Sequence, residues 1–299
     1  MSHTPLDQEG VLENARAEID RIDDQIHALI VERAAVIERI RDAKPEGTPP
    51  MRPAREAAML RRRRQAHDGA LPFLVIGRIW RELITASTAL QGGMSVAVTA
   101  PETRRGYWDI ARDHFGGLVP LTACASAVSV VRTVADGGAT IGVVPEPEDD
   151  EAAPWWPLLF GEGKTLPRIV GRLPFFGRSN ARSEARSALM IGRVPVAASG
   201  NDHSFLAIEL AGPLSRGALK TALEKQEIKP RRFFAEAEGF PGRALHLVEV
   251  DGFVPADDAR LRALGAAMGE KIGRSCLLGS YAVPLNEGDC AAGETGATR

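Results

Sequence analysis

Arg33 interrupts an apolar seam whose members recur at alternating steps of three and four: Leu12, Ala15, Ile19, Ile22, Ile26, Leu29, then Arg33, then Val36, Ile40 and Ala43. Such a seam belongs to a long amphipathic helix packed on other helices, and a guanidinium stands where it calls for Leu. Desolvating an unpaired cation is costly, so at that level the seam opens onto an anion, either an internal carboxylate or a bound one. Lys44 lies eleven positions further on, about 20° away around the helix and roughly 16 Å along it. Two side chains each reaching about 6 Å inward leave room for a small dianion between them. Arg16 precedes Arg33 by seventeen residues, roughly 25 Å up the axis, too far for one small ligand to touch both from a single helix. It is therefore expected to serve a second site, completed by the partner subunit of a symmetric dimer with antiparallel long helices.

The elements that must position these cations follow from the chain. Arg52-Pro53-Ala54-Arg55-Glu56 opens a second helix, with Pro53 suited to its first turn and Glu56 to its positive end. A third helix is expected from Phe73 to Leu90, with Ile76, Ile79, Leu83 and Ala86 on one face. Ser87 and Gln91, spaced i and i+4, share a face and can point together at whatever the first helix's cations surround. Each also reads as an ordinary polar residue at a helix end.

The chain has 299 residues, a net charge of −2, 44% hydrophobic and 25% charged residues. That composition carries no general attraction to nucleic acid or membrane. The run Arg61 to Arg64 spreads around nearly the whole circumference of a helix and is expected to be a solvated end. Cys124, Cys276 and Cys290 are odd in number and widely spaced, which points to reduced thiols in the cytoplasm. The polar start lacks the apolar core of a signal peptide. The six histidines fall at no metal-ligand spacing, so no metal is expected; no cofactor is expected either.

Breaks at Gly92-Gly93 and at the Pro-, Ala- and Ser-rich stretch Val194 to Asn201 divide the chain into three units, 11–92, 94–196 and 203–285, with a Gly-, Ala- and Thr-rich tail, 286–299, expected to be flexible. From Met94 the period becomes alternating: strands at Ser95 to Ala100, Leu118 to Ala123 and Thr140 to Pro145 flank helices at Arg104 to Phe115 and Ala125 to Ala135. This β-α-β-α-β layout implies a parallel sheet. The last unit reads β-α-β-β-α-β, with strands at Phe205 to Leu210, Arg231 to Glu238, Ala244 to Val250 and Ser275 to Ala282, and helices at Arg216 to Gln226 and Asp257 to Ile272.

With these residues in view, Leu12 to Gln91 resembles the all-helical class of chorismate mutase, a three-helix chain that forms an intertwined dimer with two active sites. The resemblance implies that Arg33 and the partner subunit's Arg16 bind the two carboxylates of chorismate, and that Lys44 and Gln91 stand near the ether oxygen. It implies further that Arg55 and Glu56 form the pair heading the second helix, Glu56 holding the ring hydroxyl, and that Ser87 completes the pocket. Arg52 replaces an Asp that some members carry. The rearrangement to prephenate breaks the ether bond as a carbon-carbon bond forms, so it needs no nucleophile, metal or proton relay; it needs the compact conformer held and charge on the ether oxygen stabilised.

The middle unit resembles the prephenate dehydratase half of bifunctional mutase/dehydratase proteins, through Val143-Val144-Pro145-Glu146 and Leu189-Met190-Ile191-Gly192-Arg193. Arg186-Ser187-Ala188 stands where that family carries its catalytic Thr-Arg-Phe, and Thr99-Ala100-Pro101-Glu102 replaces its glycine-proline loop. Dehydratase activity is expected to be lost and the unit to be truncated. The last unit resembles the amino-acid-sensing ACT domain, through Gly217-Ala218-Leu219 and Leu278-Gly279-Ser280-Tyr281; Ala237-Glu238-Gly239-Phe240 stands in place of the second effector motif. An aromatic amino-acid effector, or simple dimerisation through the sheet, is what this implies. The expected function is chorismate mutase; the alternative is a non-catalytic amino-acid-sensing or partner-binding protein derived from a bifunctional ancestor.

Overall fold

Pro5–Ala43 wind into a single 39-residue helix, α1, longer at its start than the apolar seam required. The computed structural model describes residues 5–101, 105–148, 153–163, 165–177, 187–212, 214–238 and 243–290. Glu102, Arg104, Arg186, the Gly239-Phe240 pair and the tail beyond Cys290 lie outside them. Within one copy most of the α1 seam faces solvent: Leu12 is 56% exposed, Ile26 50% and Leu29 64%. The end that carries Arg33 meets α3, Phe73–Leu90.

The second helix, α2, spans Pro53–Gln65, with proline in its first turn, where no intrahelical partner for an N–H is lost, and Glu56 beside the positive end. The face that α3 buries is not the most apolar one. Ile79 and Ala86 are exposed, whereas Phe73, Gly77, Arg81, Ile84, Thr85 and Thr88 are buried. The sheet that follows packs on this second face: a Cβ on Gly77 would lie 2.8 Å from the Phe176 ring, so the helix reaches that ring only because position 77 lacks a side chain.

Strands β1 (Val96–Thr99), β2 (Leu121–Cys124) and β3 (Ile141–Pro145) pair in parallel, joined by helices α4 (Gly106–Phe115) and α5 (Ala127–Ala135). The parallel layout expected for this unit holds for these three strands and stops there. Strands β4 (Arg168–Leu173) and β5 (Ala188–Gly192) add on antiparallel to each other, and β5 antiparallel to β3, so the sheet is mixed. The last unit has the expected order: β6 (Asp202–Ala211), α6 (Arg216–Lys225), β7 (Pro230–Glu238), β8 (Arg243–Asp251), α7 (Ala259–Met268) and β9 (Ile272–Ala282).

Both units share one nine-stranded sheet, ordered β2-β1-β3-β5-β4-β9-β6-β8-β7. The join is the parallel pairing of Ile169 in β4 with Gly279 in β9. Gly279 has φ 143°, and a Cβ there would fall 2.1 Å from the Ile169 carbonyl oxygen, so only glycine lets the two strands meet. The Leu278-Gly279-Ser280-Tyr281 stretch thus closes one unit onto the other. Trp155, Trp156 and Leu159, around a 3-10 turn at Trp156–Leu159, are fully buried against Phe205, Leu247 and Leu278. The opposite face of these strands, through Leu206, Ile208 and Val248, packs on α6 and α7, as alternation along a strand requires. With β9 bonded to β4, the free edge at this end is β7.

A final turn of helix, α8 (Glu287–Cys290), packs Cys290 into a core shared with Ala57, Leu60, Phe73 and Phe176. The beginning of the segment expected to be flexible is therefore ordered. Among the described residues no helix is long and apolar enough to cross a membrane.

Candidate active site

Arg33, Lys44, Arg55, Glu56, Ser87 and Gln91 line one cleft of about 580 Å³ between α1, α2 and α3. The helices explain the convergence: α1 carries Arg33 and ends at Ala43, which places Lys44 immediately past it, the head of α2 brings Arg55 and Glu56, and the last turn of α3 brings Ser87 with Gln91 at its C-cap. Arg33 Nη1 donates to Ser87 Oγ at 2.5 Å and to the Leu83 carbonyl at 3.3 Å, and the guanidinium lies 5.9 Å from the centre of the Trp80 ring. Its other N–H groups make no hydrogen bond among the described residues. Burial pulls Arg33 below the ordinary guanidinium value, although a guanidinium keeps its charge in proteins.

Lys44 Nζ donates to Gln91 Oε1 at 2.6 Å, and Gln91 Nε2 donates to the Ser87 carbonyl at 3.0 Å. An ammonium has three donors and an amide nitrogen two, so each retains at least one N–H for a bound acceptor. Burial first, then the charges of Arg52 and Arg55, hold Lys44 below the ordinary lysine range. Arg52 adds a further cation to the wall. The cleft thus gathers four cations against the one carboxylate of Glu56, a balance that selects a ligand with more than one negative charge. Arg16 is exposed on α1 and contributes nothing to this cleft, as its distance along the helix requires.

The sequence missed Arg81. Its Nη1 donates to Glu56 Oε2 at 3.0 Å in a pair whose side chains are 7% and 12% exposed. Phe175 and Phe176 cover the guanidinium with ring centres 5.4 and 5.9 Å away, and His114, also buried, is held well below its usual value by burial and by the Arg81 charge. Glu56 is thus fixed from behind by a cation that the sheet unit encloses. A basic residue spaced i and i+4 between Gly77 and Thr85 is the available signal, masked because the sequence pattern puts the apolar face of α3 on Ile76, Ile79, Leu83 and Ala86. Arg81→Met is expected to lower stability to urea by about 3 kcal/mol, because it strands a buried carboxylate; adding Glu56→Gln should restore much of the loss. Equal loss in single and double variants would show that the pair is not what Arg81 contributes.

The arginine run at 61–64 is not the solvated end expected of it. Arg61 binds three backbone carbonyls and a hydroxyl, Arg63 stacks 4.7 Å from the centre of Trp80, and Arg64 Nε donates to the Asp289 carbonyl. The sheet unit and the chain end pack where a lone three-helix chain would meet water.

Fold and cleft together define a three-helix unit with a cationic cleft, seated on a mixed α/β sheet. Residues 15–92 match the family described as Chorismate mutase type II, and the N-terminal unit is a domain of that type. The chain is similar to the bifunctional chorismate mutase/prephenate dehydratase of Pseudomonas aeruginosa, 34% identical over 151 residues that cover 48% of this chain and 40% of that protein. It is similar to the protein so described in Aquifex aeolicus, 32% identical over 139 residues, covering 45% and 38%. The chain thus spans about 40% of the length of these curated relatives. A prephenate dehydratase structure from Streptococcus mutans superposes with a TM-score of 0.45 at 15% identity, over 64% of this chain and 98% of that one.

Proposed function

We propose that this chain is a chorismate mutase acting in the cytoplasm as a homodimer, its helical unit catalysing the rearrangement and its two later units, 94–196 and 203–285, serving assembly or regulation. The observation that carries the reading is the convergence of Arg33, Lys44, Ser87 and Gln91, from helices far apart in sequence, on one cleft wide enough for a small dicarboxylate. Arg33 holds one carboxylate, Glu56 with Arg55 the ring hydroxyl side, and Lys44 and Gln91 donate to the ether oxygen as its negative charge grows. The reaction is intramolecular, so holding the compact conformer supplies much of the acceleration.

Arg16 binds the second carboxylate in the site of the other copy. In support, the α1 seam carries half-exposed leucines and isoleucines that a second α1 would cover. If Arg16→Ala and Arg33→Ala chains, each inactive alone, are co-expressed, mixed dimers contain one intact site, and activity should return to about a quarter of wild type. No recovery would place Arg16 in its own copy's site or in none.

The middle unit has lost dehydratase activity, since Arg186-Ser187-Ala188 stands where the family carries its catalytic Thr-Arg-Phe. Whether Gly217, Ala218 and Leu219 hold an aromatic amino acid is a matter for calorimetry with phenylalanine and tyrosine. The alternative, a non-catalytic regulatory protein, is excluded if purified protein consumes the ultraviolet absorbance of chorismate and forms prephenate; silence would promote it.

A further inference from the structure

Part of the wall of the mutase cleft comes from outside the three helices. Pro195, Ala197 and Ala198, in the stretch that joins the middle unit to the last one, line the cavity together with Lys44 and Arg55. This strap is anchored at both ends. Val194 is buried in the core beneath α4 and β1, and Ser199 and Gly200 fold back on Asp202, Ser199 N and Gly200 N donating to its carboxylate at 2.8 and 3.1 Å. Between the anchors the strap makes its side-chain link to the helical unit through Arg61. Nη1 donates to the Ser199 carbonyl at 3.2 Å and its hydroxyl at 2.9 Å; Nη2 donates to the carbonyls of Asn201 at 2.7 Å and Val283 at 2.8 Å. A planar fork is needed to hold carbonyls on both arms at once, which an ammonium does not reproduce.

We propose that the strap Val194–Asn201 is a specificity wall of the mutase cleft and that Arg61 is its positioning residue; this rests on the mutase reading above. The wall is small and apolar, and it lines the same cavity as the cations Arg33, Lys44, Arg52 and Arg55. A ligand bearing charges on one side and an apolar ring on the other can therefore turn its charges to α1 and pack its ring against Pro195, Ala197 and Ala198, which also keep water from the cations. Because Arg61 grips Asn201 at the entry to β6 and Val283 just past β9, the same guanidinium fixes this wall to the last unit's sheet.

Full-length wild-type, Arg61→Ala, Arg61→Lys and Ala198→Trp chains are compared with chorismate as the probe. Arg61→Ala should raise KM about tenfold with kcat within about twofold, the mark of lost binding common to ground and transition states. Hydrogen exchange across residues 196–201 should quicken about tenfold in the same variant as the clamp opens. Arg61→Lys should not rescue either effect. Ala198→Trp should raise KM by a similar factor with wild-type exchange, since it narrows the cleft without freeing the strap. Wild-type KM in Arg61→Ala and Ala198→Trp, from an enzyme that turns over chorismate, overturns the wall alone. An inactive wild-type chain overturns the mutase reading and the wall with it.

Discussion

Arg33→Ala is expected to lower kcat/KM for chorismate by about a thousandfold while leaving the fold intact. The guanidinium donates to Ser87 and Leu83 from α1, and its unbonded N–H groups are the natural partners of a substrate carboxylate. Removing one member of an enclosed, charge-assisted pair costs about 2 to 5 kcal/mol, and a thousandfold corresponds to about 4. Stability should hold, because the Ser87 hydroxyl keeps its bond to the Leu83 carbonyl at 2.5 Å within α3 and needs no partner from α1. Arg33→Lys should recover only part of the activity, since an ammonium restores the charge and loses the fork. Steady-state kinetics beside thermal unfolding separates these outcomes; an Arg33→Ala enzyme with wild-type kcat/KM would take Arg33 out of the site.

Gln91→Glu should cost about a thousandfold in kcat at neutral pH and recover activity toward acid. The side chain sits 2.6 Å from Lys44 Nζ, so a carboxylate placed there would be held ionised by the ammonium and by neighbouring Arg52 and Arg55. An ionised glutamate accepts only, so the ether oxygen would lose its amide donor and face a negative charge instead. Protonation at low pH returns a donor. The wild-type enzyme should show the opposite limb: Lys44 carries its stabilising positive charge only when protonated and is held below the usual lysine range, so kcat/KM should fall as pH rises, from a point below that range. A bound dianion opposes the burial and the arginine charges, so the limb in kcat should lie at higher pH. An identical pH profile for Gln91→Glu and wild type would remove Gln91 from the ether site.

The cleft was legible because helical geometry is local. Eleven residues from Arg33 to Lys44 and four from Ser87 to Gln91 fix angle and rise without knowledge of what packs outside, and these residues do line one cavity. The β-α-β-β-α-β order of the last unit was legible for the same reason, since alternation and turn residues act over a few positions. Arg81 was not, because its burial depends on Phe175 and Phe176, about a hundred residues away in sequence, which cover the less apolar face of α3. The arginine run at 61–64 failed likewise: four charges on an isolated helix belong in water, but the strap and the chain end bring carbonyl oxygens to two of them.

The residues alone determined which side chains could form an anion site and how far apart along each helix they stand, since 1.5 Å of rise and 100° of turn per residue leave no freedom there. Only the tertiary structure decided that β4 and β9 would join two units into one sheet, that Arg81 would pair with Glu56, and that Pro195, Ala197 and Ala198 would line the cleft. Those contacts depend on which surfaces compete to be buried, and no periodicity along the chain records the result of that competition.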